Sequence, residues 1–402
     1  MTRLELISGP RGAAAACRTG MRAGAKRPGG VRTTLAGSNL GLWHTLHVFQ
    51  SIESKLMRKL AVSLCFSLAT LPAVAAPDYT MTVVADLGSY NVQGMNNSGI
   101  GIGYDYGINA PLMFSRDGIT AMPIALPGQH TPRAINDANT FVGTTTLDSW
   151  HYRAFVMRDG VYRDIGGSQD LLSTARDINN AETVLVNYVR TDRKGDVNGS
   201  YIVNADGSTV DLGMLGSNGD TYGIAINDQG QVAGVTRDTD ERFVPFLWEN
   251  GTMTTLGGLV RGEFSNNISG ISELGHVLGT ETDWFGSRAW VIKDGGIEHY
   301  DYLSRIFHID SAGRIYGRDH DFNAVIVEGD TITRIADLVD GAPGLTFGVD
   351  AINEHGEILT ARCINGDCDS LVMLTPVPEP STYAMLLLGG LALYGHARRR
   401  RD

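Results

Sequence analysis

A polar decamer recurs seven times, and a repeat of this period limits the fold more than any other feature of the chain. Its clearest copy is AINDQGQVAG at 225–234. Aligned copies begin at Gly94, Ala134, Asp177, Gly270, His308 and Ala351. The third position is always polar: Asn96, Asn136, Asn179, Asn227, Ser272, Asp310 and Asn353, at spacings of 40, 43, 48, 45, 38 and 43. Asn, Asp and Ser bond their own backbone and start turns. Three residues later stands Gly99, Gly230, Gly275, Gly313 or Gly356, with Asn139 and Glu182 as exceptions. Gly and Asn reach positive φ at low cost, so each decamer predicts a β-hairpin. In the first copy Ile100 and Ile102 stand one step out of phase, which predicts a bulge there.

A second hairpin follows in each unit. Third strands are expected at 112–114, 154–157, 201–203, 245–248, 289–292, 324–327 and 371–374, and fourth strands at, for example, 208–212 and 252–256. Four strands in about 40–45 residues is the measure of a propeller blade. The seventh unit ends after its third strand, whereas 79–88 (YTMTVVADLG) resembles an orphan fourth strand. The expected fold is therefore all-β: a seven-bladed β-propeller closed by an N-terminal strand, which leaves no long open sheet edge. Units of the form A-I-N-D-x-G-x-V-x-G, then A-F-x-W-x-x-G, then x-x-L-G-x-L resemble the bacterial extracellular HAF repeat. Ala154-Phe155, Pro245-Phe246-Leu247-Trp248, Asp211-Leu212-Gly213 and Thr255-Leu256-Gly257 carry that likeness, and Glu182 and Ser272 depart from it. The resemblance implies an exported β-rich protein; it does not by itself imply a catalytic activity.

Both ends read as addresses. Residues 1–56 are Arg-, Ala- and Gly-rich without apolar periodicity, and are expected to be a mis-assigned, disordered upstream extension. Residues 57–75 read as a signal peptide: Arg58 and Lys59, a 12-residue apolar run, then Ala73 and Ala75 for signal peptidase. The repeat body spans 76–376. Residues 377–402 hold Pro378-Glu379-Pro380, an apolar segment at 381–397 near the short limit for a membrane span, and Arg398, Arg399, Arg400 and Arg401 as a basic stop. This order resembles a PEP-CTERM sorting signal. The resemblance implies a transmembrane sorting helix, a transient inner-membrane stage, cleavage by an exosortase, and delivery to the cell surface or extracellular matrix of a Gram-negative, often exopolysaccharide-producing, bacterium.

Charge and cysteines narrow the partners. Residues 76–376 hold 19 Lys+Arg against 40 Asp+Glu, which gives nucleic acid no basic footprint. Cys363 and Cys368 are the two cysteines of the body. An exported compartment favours a local disulfide, and no second pair completes a metal site. Nucleophile-elbow, zincin, P-loop and complete EF-hand signatures are absent. The stretch 99–103 (GIGIG) belongs to a repeat hairpin, not a nucleotide loop. Asp196-Val197-Asn198-Gly199 resembles the start of a calcium loop but lacks Glu at position 12. No cofactor is expected, with weak Ca2+ binding in that loop as the alternative to a solvated loop.

The first-to-second and third-to-fourth turns share one face and are short. The opposite face carries variable loops holding Asp148, Trp150 and His151; Arg190, Asp192 and Arg193; Asp238, Asp240 and Arg242; Asp283 and Trp284; and Asp319, His320 and Asp321. Trp150, His151, Trp284, Asp319 and His320 form a candidate ligand face, since rigid scaffolds display function on loops. The other reading is that the charges are solvated and the Trp side chains pack on their own blades. Three function classes follow: a non-enzymatic surface or matrix protein, a glycan- or ligand-binding propeller with exopolysaccharide as one partner, and an extracellular hydrolase using carboxylates from different blades. The first is the leading reading.

Overall fold

A computed structural model of the chain describes residues 79–377 except 123–128, 149–150, 169, 171, 193–194, 216–219, 238–242, 257–265, 284–285 and 342–343. Seven antiparallel sheets follow one another along the chain. Six are four-stranded, each in sequence order from the inner to the outer strand. Blade 1 begins with Tyr90–Met95, blade 2 with Gln129–Ile135, blade 3 with Leu172–Ile178, blade 4 with Thr221–Ile226, blade 5 with Asn266–Ile271 and blade 6 with Leu303–Ile309. Blade 7 has an interrupted inner strand, Leu345–Phe347 and Ala351–Ile352, followed by Ile358–Ile364 and Asp367–Pro376.

The fourth strand of blade 7 is Tyr79–Asp86, from the opposite end of the domain. It pairs antiparallel with Asp367–Pro376, from Tyr79 opposite Pro376 to Asp86 opposite Ser370. Seven apolar clusters fill the seams between neighbouring blades. One joins Phe114 and Met95 of blade 1 to Leu359 and Met373 of blade 7, so the ring is continuous. Tyr79 is 3% exposed, and its hydroxyl donates to Gly356 O at 3.1 Å.

The decamer explains its hairpin atom by atom. In blade 7, Asn353 Oδ1 accepts the His355 N–H at 3.1 Å and the Glu357 N–H at 3.0 Å. Gly356 sits between them at φ 73, and its N–H donates to Asn353 O at 2.9 Å. Glu182 takes the same left-handed turn at φ 60. That conformation is uncommon for a non-Gly residue. Its carboxylate is held across the seam by Arg158 and by Thr140 Oγ1 at 3.3 Å.

The expected bulge of the first copy is corrected. Register shifts fall on the inner strand, at Val92/Gly94, Pro132/Ala134, Ala175/Asp177, Gly223/Ala225, Ile268/Gly270 and Ile306/His308. The bulge is thus a device of six blades, and Gly101–Asp105 pairs evenly with Ala110–Ser115. Gly101 stands where blade 4 has Val232, because Leu359 of blade 7 fills that space: a Cβ on Gly101 would lie 2.6 Å from Leu359 Cδ2. Asp196 to Gly199 lie within the strand Gly195–Val203, paired to Val184–Asp192, and Asn198 Nδ2 donates to Asp220. The signal-peptide residues Ala73 and Ala75, the segment 381–397, Pro378-Glu379-Pro380 and Arg398–Arg401 lie outside the described residues. Among the described residues, no helix is long and apolar enough to cross a membrane.

Candidate functional site

Residues from all seven blades meet around one cavity of about 160 Å3 at the hairpin-turn end of the axis. Two hydrogen-bonded rings form its wall. In the first ring, the buried Asn of five decamers donates to its neighbour's backbone. Asn96 Nδ2 reaches Asn136 O at 3.0 Å, Asn136 reaches Asn179 O at 3.2 Å, and Asn179 reaches Asn227 O at 3.0 Å. Asn227 reaches Ser272 O at 3.1 Å, and Asn353 reaches Asn96 O at 3.0 Å, so the ring is interrupted only at Ser272 and Asp310. Ser272 and Asp310 have no amide to donate. Asp310 instead binds Arg314 Nε at 2.7 Å within its own blade.

The next residue of six decamers forms the second ring, which is open at blade 6. Backbone N–H groups of Asn97, Asp137, Asn180 and Asp228 donate to the side chains of Asp137, Asn180, Asp228 and Glu273, at 2.7–3.0 Å. Glu354 N–H donates to Asn97 Oδ1 at 2.9 Å. The cavity is acidic as a result. The first decamer position is Gly or Ala in five copies, but Asp177 and His308 in the other two. Asp177 accepts from Ile178 N–H and, across the seam, Ile226 N–H, both at 2.9 Å. Burial pushes its carboxyl up to about 6 against those two bonds. Burial pushes Glu273 up to about 7, and the charges of Asp228, Glu354 and Asp177 push the same way against one hydrogen bond from Asp228 N–H. His308 Nε2 lies 3.2 Å from Glu354 Oε1. Among the described residues no group of three His, Cys, Asp or Glu side chains is arranged to hold a metal ion.

The loop face gathers fewer of its expected residues. Trp150 and Trp284 lie outside the described residues, as do Arg193, Asp238, Asp240 and Arg242. His151 Nδ1 pairs with Asp148 at 2.8 Å at the edge of blade 2, with both side chains exposed. His320 Nε2 meets Asp301 O at 2.9 Å in blade 6. Asp319 caps its own turn, accepting from Asp321 N–H and Asn323 N–H at 2.9 and 2.8 Å. Blades 2 and 6 are not neighbours, so these residues do not form one constellation. Cys363 and Cys368 are joined by a disulfide across the Ile358–Ile364 and Asp367–Pro376 hairpin.

Arg190 is the loop-face residue that enters a network. Its Nε holds Asp170 at 2.6 Å, and its guanidinium lies 3.9 Å from the centre of the Tyr188 ring. Tyr201 Oη lies 3.0 Å from Asp170, whose side chain is fully buried. Burial raises both phenols, Tyr188 to about 12. Tyr201 fills the site taken by Phe155 in blade 2 and Phe246 in blade 4, since each faces the same outer-strand position. Reading the repeat by columns reveals these substitutions; reading for conventional motifs does not.

The fold and rings define an all-β, seven-bladed propeller closed by its N-terminal strand. The model of the PEP-CTERM protein-sorting motif matches residues 376–401, beginning on the last residue of the closing hairpin. This motif implies an exported protein targeted to an exosortase. No curated protein matches the chain. Solved structures of similar shape include "YCF48 bound to D1 peptide", at 10% identity and TM-score 0.47, covering 77% of this chain and 100% of that one. A streptogramin B lyase shares 12% identity at TM-score 0.47, covering 74% of this chain and 98% of its own. The propeller domain of the Trilobed protease from Pyrococcus furiosus shares 10% identity at TM-score 0.47, covering 72% and 98%.

Proposed function

We propose that the chain is an exported, exosortase-processed protein that displays a non-enzymatic propeller at the cell surface or in the matrix of a Gram-negative bacterium. The match at 376–401 carries this reading. The Tyr79–Pro376 pairing supports it, because both ends of the propeller leave blade 7 side by side. On this reading, signal peptidase cuts at Ala75 and frees 79–86 to close the ring. The segment 381–397 then stops in the inner membrane, because pulling Arg398–Arg401 through is costly. Pro378-Glu379-Pro380, stiffened by its prolines, lies just outside for cleavage. The turn-to-turn bonds of Asp137, Asp228 and Glu273 support a structural use of the axial carboxylates. The test replaces Pro378-Glu379-Pro380 with three Ala residues and follows one epitope in the body and one after the Arg run. Uncleaved protein should remain in the inner membrane. Tail-free protein at the surface in that variant refutes the reading.

One observation favours a second reading, an extracellular hydrolase. Glu273 is raised to about 7 beside Asp228 in an axial cavity, the condition of a proton donor at neutral pH. Glycoside and ester hydrolysis by the exported protein, lost in Glu273→Gln with the fold intact, would establish it. Equal activity in that variant removes it.

A further inference from the structure

The seam between blades 2 and 3 is not filled to its rim. An apolar cavity of about 260 Å3, walled by Val156, Val161, Val184 and Val203, adjoins a polar one of about 350 Å3 that reaches Arg190, Tyr201 and Thr209. Arg163, Ile165 and Val203 line both halves, so the two form one amphipathic cleft. Its combined size falls within the range of small-molecule sites.

Arg163 gives the cleft its chemistry. It stands on the outer strand of blade 2 opposite Val156. The same register position holds Thr120, Val210, Thr254, Glu298 and Thr333 in blades 1, 3, 4, 5 and 6. A basic residue there is thus peculiar to this seam. Gly207 makes room for it, since a Cβ on Gly207 would lie 2.9 Å from Arg163 Nη2.

The carboxylates of the polar half are already engaged; of the two that line the apolar half, Glu182 is held by Arg158 and Asp159 is exposed in the turn before Gly160. Asp164 takes Arg153 Nε at 3.1 Å and Gly166 N–H at 2.8 Å. Asp170 takes Arg190, Tyr201 and Gly167 N–H. Asp211 takes Tyr188 Oη at 3.2 Å and Gly213 N–H at 2.8 Å. Arg163 has no ion-pair partner among the described residues. One guanidinium therefore remains at the junction of an apolar pocket and a polar one.

We infer that this cleft binds a small amphipathic carboxylate, with the carboxylate on Arg163 and the hydrocarbon in the valine-walled half. Arg is suited to this because its planar fork matches a carboxylate bidentately. The site is independent of the sorting reading and of the axial cavity.

Equilibrium dialysis of the exported protein, as recovered from its host, tests the inference with hexanoate, heptanoate, octanoate and 1-octanol. Affinity should rise about fourfold per added CH2, and octanoate should bind at least tenfold more tightly than octanol. Arg163→Met keeps the alkyl stem and should bring octanoate down to the level of octanol. Arg163→Lys keeps the charge but loses the fork, and should bind octanoate more weakly than the parent and more tightly than Arg163→Met. Arg163 is exposed, so neither change disturbs the core. Equal binding of octanoate and octanol, unchanged octanoate binding in Arg163→Met, or no binding at millimolar octanoate would overturn the inference.

Discussion

Replacing Asn136 by Ala tests the idea that the decamer's polar residue both builds its hairpin and ties neighbouring blades. Asn136 is 3% exposed. Its Oδ1 accepts Ala138 N–H at 3.1 Å and Thr140 N–H at 3.0 Å, and its Nδ2 donates to Asn179 O at 3.2 Å. Alanine removes all three bonds. Thr140 is 1% exposed, so its N–H is left buried without that acceptor, at about 1–3 kcal/mol. Ala138 is exposed and turns to water, and Asn179 O keeps the Glu182 N–H at 3.0 Å, so these two losses add about 1 kcal/mol between them. The expected loss is about 2–4 kcal/mol. Serine is the built-in control, because Ser272 serves the same turn in blade 5 through bonds of 3.3 and 3.2 Å to Leu274 and His276 N–H. Asn136→Ser should lose about 1 kcal/mol less than Asn136→Ala. Urea unfolding followed by far-UV circular dichroism reads both, provided the slope m is unchanged. A loss below about 0.5 kcal/mol for Ala, or equal losses for Ala and Ser, would refute the reasoning.

Three further outcomes are expected. Tyr79→Ala should cost about 3 kcal/mol in the same assay, because a buried aromatic and its bond to Gly356 O leave the closing strand together; an unchanged midpoint contradicts closure by that strand. Asp177 and Glu273 bind protons more tightly folded than unfolded, so their contribution is fully present below about pH 4 and is lost as pH rises through about 6 and 7. After allowance for the partial exposure of Glu273, this is about 1–3 kcal/mol. Glu273→Gln keeps an acceptor for Asp228 N–H and should flatten the fall in melting temperature between pH 5 and 8; an unaltered slope counts against the assignment. Thiol labelling of the exported protein should find Cys363 and Cys368 unreactive, and replacing both with Ser should cost about 2 kcal/mol or less, since the loop is short. Two labelled thiols per chain contradict the bond.

The blade count and the closing strand were legible because a hairpin needs only local chemistry. A turn-starting Asn, a left-handed residue three places on and an apolar run lie within ten residues. Closure was legible because a missing fourth strand at one end matched a spare one at the other. The inter-blade rings were half legible: the polar column stood out, but Asn136 reaches Asn179 only once blades are set side by side around an axis. The Arg190 network was hidden for another reason. Asp170 sits in a connection outside the repeat, 20 residues from Arg190 and 31 from Tyr201. Arg163 shows itself only when outer strands are aligned by register, because nothing about a single Arg beside an Asp distinguishes it from a solvated pair.

Mass spectrometry of both ends of the protein in the surface fraction tests the sorting account most directly. The account predicts a mature chain that starts at Ala76, ends near Pro380 and contains every propeller strand from Tyr79–Asp86 to Asp367–Pro376. Recovery there of a peptide containing Leu386–Leu388 or the Arg398–Arg401 run, in a chain otherwise intact, would contradict it.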